Sequence, residues 1–110
     1  MGKVIELKSF KKDIIYLKKR QCHNKFKKLD VVLANIISGN MKALTRDKHI
    51  IDPDLPGCRE CHIEWDLILI YKVAGVNRDV TLIRIGKHDD IYKKSWASRK
   101  HWLGGGRYVR

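Results

Sequence analysis

The feature that most constrains this 110-residue chain is a continuous apolar run at residues 67–71. Its β-branched and aromatic residue types are typical of a central strand buried on both faces. The residues before it alternate, with Cys61 and Ile63 on one side of a strand and His62 on the other. The stretch therefore predicts a hairpin, in which a half-exposed strand leads through a tight connection near Trp65 into a buried strand.

Polar side chains collect where these two predicted strands meet. His62 ends the first strand and Asp66 opens the second, with Arg59 beside them. A hairpin brings such residues to one end of a sheet. An imidazole, a carboxylate and a guanidinium in that position can move protons on a phosphate.

The charge of the chain is large and unevenly placed. The formal net charge is +12, and residues 3–28 hold ten Lys or Arg and two acids, while residues 93–110 hold six Lys or Arg and no acid. Basic ends around a near-neutral centre favour a polyanion as partner, such as RNA, DNA or an anionic membrane. No apolar run reaches membrane-span length and no signal-peptide core is evident, so we expect a cytoplasmic protein that does not span a membrane.

The N-terminal forty residues predict a strand followed by two helices. Residues 3–7 are β-prone, and Ser9 is a candidate cap for a helix that begins near Phe10. Apolar residues then recur at helical spacing through two segments, and Gly39 is expected to end the second. The first forty residues are therefore expected to form a strand and an amphipathic helix hairpin.

The remaining elements complete an α+β fold. Residues 41–56 have weak periodicity and place His49 in an irregular segment, whereas residues 80–85 predict another strand. A short C-terminal helix or loop follows at residues 89–94. We therefore expect an antiparallel-dominated sheet of about four strands in the order strand, helix, helix, three strands, within one domain over residues 1–94. Residues 95–110 form a separate basic tail, either a functional arm or sequence added by cloning.

The three cysteines allow more than one interpretation. Cys58-Arg-Glu-Cys61-His62 matches the pattern of c-type haem attachment, and zinc at the same residues with another histidine is an alternative. An odd number of cysteines, with Cys22 as the third, argues against a disulfide framework. The strand pattern and the lack of a second Cys-x-x-Cys pair favour Cys61 as a small core residue, with no cofactor.

A wider polar set has the groups needed for acid–base chemistry. It comprises His49, His62, Asp66, Arg84, His88 and Tyr92. All of these except Arg84 are expected at strand ends or in loops, where a sheet gathers side chains at one edge.

At this point the sequence resembles a known family. The segment from Arg59 through His62 and Asp66 to an apolar strand ending in Tyr71 is similar to the signature of YafQ-type toxins, within the RelE/ParE superfamily of type II toxin–antitoxin systems. His49 lies thirteen residues before His62, as in that family. The resemblance covers residues 3–93 and continues downstream through His88 to Tyr92.

The resemblance implies a RelE-like, microbial-ribonuclease-like fold and a toxin that cleaves mRNA on the ribosome. It implies His49, His62, Asp66 and His88 as catalytic residues, with Tyr92 in the place of a Phe that helps to hold the RNA. Arg59 and Arg84 are further candidates for binding the substrate. The implied partners are a small, acidic, partly disordered antitoxin, the ribosome and mRNA, with operator DNA contacted only through the antitoxin complex.

The chain also departs from the family pattern. Trp65 stands where the family usually has Pro, and Leu67 stands where many members have Trp. One extra residue separates Asp47 from His49, where Asp-His is usual.

RNA cleavage without a metal is consistent with the residues themselves. A base must take the proton of the 2′-hydroxyl, an acid must protonate the departing 5′-oxygen, and positive groups must offset the charge on the phosphate. We expect Asp66 or His49 to be the base and His88 the acid, with His62 and Arg84 stabilising charge. The alternatives are a ParE-like toxin that binds gyrase without nuclease chemistry, and a basic nucleic-acid-binding module.

Overall fold

The computed structural model describes residues 2–20, 23–51 and 55–92. Its elements follow one another as β1 (Val4–Glu6), α1 (Lys8–Lys19), α2 (His23–Ser38), a 3₁₀ turn (Met41–Ala43), β2 (Thr45–His49), β3 (Cys58–Glu64), β4 (Leu67–Ala74), β5 (Asp79–Gly86) and α3 (His88–Tyr92). The predicted basic tail at residues 95–110 lies outside the described residues. No helix in the described ranges is long and apolar enough to cross a membrane.

The strands form one sheet in the order β1-β5-β4-β3-β2. β1 pairs parallel with β5, and the other three pairings are antiparallel. The predicted α+β class, with an antiparallel-dominated sheet, is therefore confirmed. The sheet has five strands rather than about four, because residues 45–49 form the edge strand β2 and not the irregular segment predicted around His49.

The missed strand is explained by its position in the sheet. β2 has the sequence Thr-Arg-Asp-Lys-His and none of its residues is buried. An edge strand of this kind is held by backbone pairing to β3, and charged residues protect its free edge. It therefore carries no apolar alternation from which a strand could be predicted.

The sheet is covered on both faces. On one face, α1 and α2 contribute Phe10, Leu17, Leu29 and Ile36 to a core shared with Leu69 and other strand residues; we call this side the helix face. On the opposite face, a smaller core is built from Leu55, Cys58, Ile68, Ile70, Ile83 and Ile91. All five residues of the run 67–71 are buried, so the prediction of a central strand buried on both faces is confirmed.

The helix limits agree with the sequence except at one cap. Gly39 has φ +83° directly after α2, as expected for a glycine that ends a helix. The prediction that Ser9 caps α1 is wrong, because the helix starts at Lys8 and Leu7 occupies the cap position without a side-chain hydrogen bond. The Ser9 hydroxyl instead donates to the carbonyl of Ile83 at 2.6 Å, which joins α1 to β5.

Candidate active site

Three of the predicted catalytic residues lie at one end of the sheet, where β3 ends, β4 begins and β5 ends. In the strand register, His62 of β3 pairs with Ile68 of β4, and Ile68 pairs with Gly86 of β5. Asp66 lies in the β3–β4 turn and His88 begins α3, so each is two residues from a member of this row. The predicted strand limits shift slightly, because β3 continues to Glu64 and Asp66 belongs to the turn rather than to the strand that follows it.

His62 and α3 also lie on the same face of the sheet. His62 pairs with Ile68, which belongs to the core on the face opposite the long helices. Ile91 of α3 packs into that same core. Because paired residues of neighbouring strands share a face, His62 points toward the side on which α3, with His88 at its start, is docked.

The ring of His62 is oriented by backbone carbonyls. Its Nδ1 lies 3.3 Å from the carbonyl oxygen of Glu64 and 3.1 Å from that of Trp65. A carbonyl only accepts, so Nδ1 carries the hydrogen and Nε2 is the acceptor of the neutral ring. His62 therefore offers an Nε2 that is able to take a hydrogen bond or a proton.

His49 is held elsewhere, by a polar network at the β2 side of the sheet. Arg59 makes a bidentate ion pair with Asp47, in which its Nε lies 3.2 Å and its Nη2 lies 2.5 Å from Oδ2 of Asp47. The Nη1 atom of Arg59 lies 2.7 Å from Nε2 of His49. The hydroxyl of Tyr71 donates to Oδ1 of Asp47 at 2.5 Å. Tyr71 belongs to the core of the helix face, and His49 pairs with Arg59, which pairs with Tyr71.

The structure therefore does not bring His49 together with the other three residues. Arg59 and His62 are three residues apart on β3, which corresponds to about 10 Å along a strand, and they alternate to opposite faces. The sequence did not single out Asp47 as a functional residue, although it stands two residues before His49. Its carboxylate links β2 to β3 and β4, and no local pattern reports such a link.

Burial and hydrogen bonding fix the protonation states in this network. Burial, followed by the hydrogen bond to Asp47, raises the pKa of Tyr71, so its hydroxyl keeps its proton and acts as a donor. The hydrogen bond to Asp47 raises the pKa of Arg59. Burial, followed by the nearby Asp47 charge, raises the pKa of the Cys61 thiol to about 12.

Arg84 is also engaged by a carboxylate. Its Nε lies 2.7 Å and its Nη2 3.1 Å from the carboxylate oxygens of Asp13, which also accept a hydrogen bond from the backbone N–H of Ile85 at 3.0 Å. This ion pair attaches α1 to β5. The side chain of Tyr92, the remaining predicted substrate contact, lies outside the described residues.

A cavity of about 530 Å³ opens beside the candidate site, between α1, β5 and α3. Its lining includes Leu67 and Lys87, which directly follow Asp66 and precede His88 in the chain. The remaining lining residues are Asp13, Tyr16, Leu17, Arg20, Lys25, Arg84, Gly86, Asp90 and Ile91.

The cysteine motif has a structural explanation. Cys58 and Cys61 are both reduced and fully buried, in the cores of opposite faces. The prediction that Cys61 is a core residue is therefore confirmed. Among the described residues, no group of three or more His, Cys, Asp or Glu is arranged to hold a metal ion. Cys22 lies outside the described residues.

Comparisons with known proteins identify relatives of this sequence and fold. The family of bacterial toxins of type II toxin–antitoxin systems called YafQ matches residues 3–93. No curated protein sequence matches significantly. The crystal structure of the E. coli DinJ–YafQ complex matches with a TM-score of 0.71 and 26% identity, over 84% of this chain and 99% of that chain.

Two further solved structures share the fold. The metal-bound toxin from Helicobacter pylori matches with a TM-score of 0.65 and 29% identity, over 83% of this chain and 99% of that one. A YoeB/ParE toxin from Agrobacterium tumefaciens matches with a TM-score of 0.67 over 78% of this chain and 98% of that chain. At 17% identity, the latter is evidence for the shared fold alone.

Proposed function

The chain belongs to the YafQ family of bacterial toxins of type II toxin–antitoxin systems, and from this premise we propose that it is a ribosome-dependent endoribonuclease that cuts mRNA without a metal ion. The observation that supports the proposal is that β3 ends, β4 begins and β5 ends at the same end of the sheet, with His62, Asp66 and His88 at or next to these strand ends. Ribosome dependence is inferred from the family, whereas the acid–base chemistry is inferred from the side chains.

Cleavage uses the 2′-hydroxyl of the RNA as nucleophile. The base removes its proton, the 2′-oxygen attacks the phosphorus, and the acid protonates the departing 5′-oxygen, which leaves a 2′,3′-cyclic phosphate or its hydrolysed form. Asp66 is assigned as the base and His88 as the acid. The arrangement supports Asp66 over His49, because His49 is bound by Arg59 on the other face.

The other predicted residues have supporting roles in this proposal. Once Nε2 of His62 has taken up a proton, the ring offsets charge on the phosphate, and two backbone carbonyls hold the ring in orientation. Arg84 and Arg59 are each saturated by a carboxylate, of Asp13 and Asp47 respectively, so they shape the site and its surroundings more than they neutralise a substrate.

We further propose that an acidic, partly disordered antitoxin is the protein partner, and that operator DNA is contacted only through their complex. A related YafQ has been solved in complex with DinJ, as a toxin–antitoxin complex. The charge supports such a partner, because residues 3–28 alone carry ten Lys or Arg against two acids. The antitoxin folds along the basic helices and prevents entry into the ribosome.

Primer extension on a translated message, with purified protein and intact ribosomes, tests the nuclease proposal. His88→Ala is expected to lower the cleavage rate by roughly 10²–10⁴, the usual contribution of a general acid. Asp66→Asn should impair cleavage with the fold intact, because Asp66 is exposed in a turn. Asp89→Asn is the matched control for His88→Ala, because Asp89 directly follows His88 in α3 and is also exposed. This variant should cleave at the wild-type rate.

Three results would contradict the proposal. They are full-rate cleavage of naked RNA, loss of cleavage in chelator while the ribosomes remain intact, and an unimpaired His88→Ala variant. Growth arrest without RNA cleavage would instead favour a toxin with a different target, such as gyrase.

A further inference from the structure

A large aromatic side chain is exposed next to the proposed base. Trp65 lies in the β3–β4 turn, directly before Asp66, and its exposed fraction is 75%. Trp is enriched at binding surfaces because its large apolar ring gains much from being covered, so this exposed Trp beside the candidate site is a candidate ligand contact.

One face of this indole already carries a cation. The guanidinium carbon of Arg46 lies 4.6 Å from the centroid of the Trp65 ring, within the range of a cation–π interaction. Because Trp65 remains three-quarters exposed with Arg46 in place, the opposite ring face is open to solvent. The pair therefore presents a flat aromatic surface with a positive charge behind it.

The backbone of β2 is distorted where it supplies Arg46. From Thr45 to Lys48 the chain advances three residues, while its partners on β3, His62 and Glu60, are two residues apart, so β2 contains one extra residue. Arg46 has φ +53°, a left-handed conformation that disfavours an arginine. Bulges re-aim side chains beside active sites, and strain of this kind is retained where the surroundings hold it in place.

The same backbone connects this aromatic surface to the proposed catalytic residues. The carbonyl of Trp65 accepts from Nδ1 of His62 at 3.1 Å, and Thr45, the neighbour of Arg46, pairs with His62 in the strand register. The indole is thus fixed to the same turn that carries Asp66 and orients His62.

We infer that Trp65 and Arg46 form a stacking platform for a nucleobase of the RNA substrate, adjacent to the proposed cleavage site. Aromatic and guanidinium planes are the groups on which proteins stack unpaired RNA bases. The base covers the open face of the indole, and Arg46 attracts the neighbouring phosphate. The inference rests on the proposed function, since it assigns a subsite for a nucleotide that flanks the cut.

The expected effect follows from the strength of base stacking. Removing the indole should weaken RNA binding by roughly 5- to 150-fold, the range that alanine substitution of a stacking aromatic gives. Trp65→Phe keeps an aromatic face and should retain most of the affinity. Arg46→Lys keeps the charge but not the plane, and should give an intermediate loss.

Binding is best measured without cleavage. The full-length chain carrying His88→Ala is titrated with a fluorescently labelled single-stranded RNA hexanucleotide and with a labelled hexanucleotide of the same charge that lacks all bases. Fluorescence anisotropy gives the affinity of every variant, and NMR follows the Trp65 indole resonance where Trp65 is present. The base-bearing RNA should bind more tightly and shift that resonance. Trp65→Ala should bind both ligands equally and weakly, because only electrostatic attraction remains.

Val76→Ala is the matched control. Val76 is a fully exposed apolar residue in the β4–β5 turn, at the opposite end of β4. It should preserve the preference for base-bearing RNA, and thermal unfolding should show every variant folded. A Trp65→Ala variant that still prefers base-bearing RNA would overturn the platform and indicate that Arg46 and Trp65 only join β2 to the turn.

The two proposals fail separately in these experiments. A base preference that depends on Trp65, in a protein that does not cut mRNA on ribosomes, would refute the proposed nuclease and leave the platform standing. Efficient cleavage by a chain with no Trp65-dependent base preference would refute the platform and leave the proposed nuclease standing.

Discussion

At the residue scale, two histidines of the chain are held by different kinds of partner. His62 donates from Nδ1 to backbone carbonyls, whereas Nε2 of His49 faces the guanidinium of Arg59. A guanidinium has no acceptor, so Nε2 of His49 must accept and the hydrogen of the neutral ring is on Nδ1. Asp47 and Tyr71 fix the guanidinium that imposes this tautomer.

The tautomer of His49 is therefore a testable consequence of the network. In the neutral form of the ring, ¹⁵N shifts in long-range ¹H–¹⁵N NMR spectra should show His49 protonated at Nδ1. Arg59→Lys removes the fork that spans Asp47 and His49, and should release this preference. Tyr71→Phe leaves the Arg59 contact in place and should not change it; an Nε2-protonated His49 in the unmodified chain would contradict the structure.

At the element scale, the carboxylate of Asp13 makes two polar contacts between α1 and the sheet. Asp13 accepts from the Arg84 guanidinium and from the backbone N–H of Ile85, and both partners belong to β5. Both side chains of the ion pair are largely buried, at 17% and 16% exposure. Removing the carboxylate leaves a poorly solvated guanidinium and an unpaired backbone donor.

Asp13→Ala should lower the free energy of unfolding by roughly 1.5–3 kcal/mol, the usual range for hydrogen bonds to a charged group. Urea unfolding followed by circular dichroism measures this difference. Lys12→Ala, at an exposed position of the same helix, is the control and should stay within about 0.5 kcal/mol of the wild type. Equal stability of the two variants would mean that Asp13 does not hold α1 in place.

At the scale of the whole molecule, the net charge of +12 dominates encounters with other macromolecules. Lys11, Lys12, Lys18 and Lys19 are exposed along α1. Positive charges attract an acidic partner over a distance that becomes shorter as the salt concentration rises. Association with the proposed antitoxin should therefore be fast and sensitive to ionic strength.

Titration calorimetry with the product of the adjacent reading frame should show weaker binding at about 0.4 M salt than at about 0.1 M, because added salt shortens the distance over which charges attract. A Lys11→Glu/Lys12→Glu variant should bind more weakly and depend less on salt. Lys42→Glu/Lys48→Glu makes the same change of charge at two exposed positions outside the two helices and should have a smaller effect. An affinity that salt does not alter would argue against electrostatic neutralisation as the basis of the complex.

Local patterns in the amino-acid sequence were enough to predict several elements of this protein. The apolar run at residues 67–71 predicted a strand buried on both faces, and helical spacing with Gly39 predicted the helix pair, because the period of the apolar residues indicates which sides of an element face a core. The spacing of the polar residues around His62 was sufficient to indicate the family that the comparisons show.

Contacts between residues far apart in the chain could be seen only in the folded protein. Asp47 and Arg59 are 12 residues apart and Asp13 and Arg84 are 71 apart, so neither ion pair could be predicted from a repeating pattern within one segment. β2 exists as a strand because β3 pairs with it, and that pairing gives His49 and His62 opposite faces and stacks Arg46 on Trp65. These positions depend on strand pairing between distant segments. That pairing depends on which backbone groups are aligned in the folded sheet, and not on the order of residues within one segment.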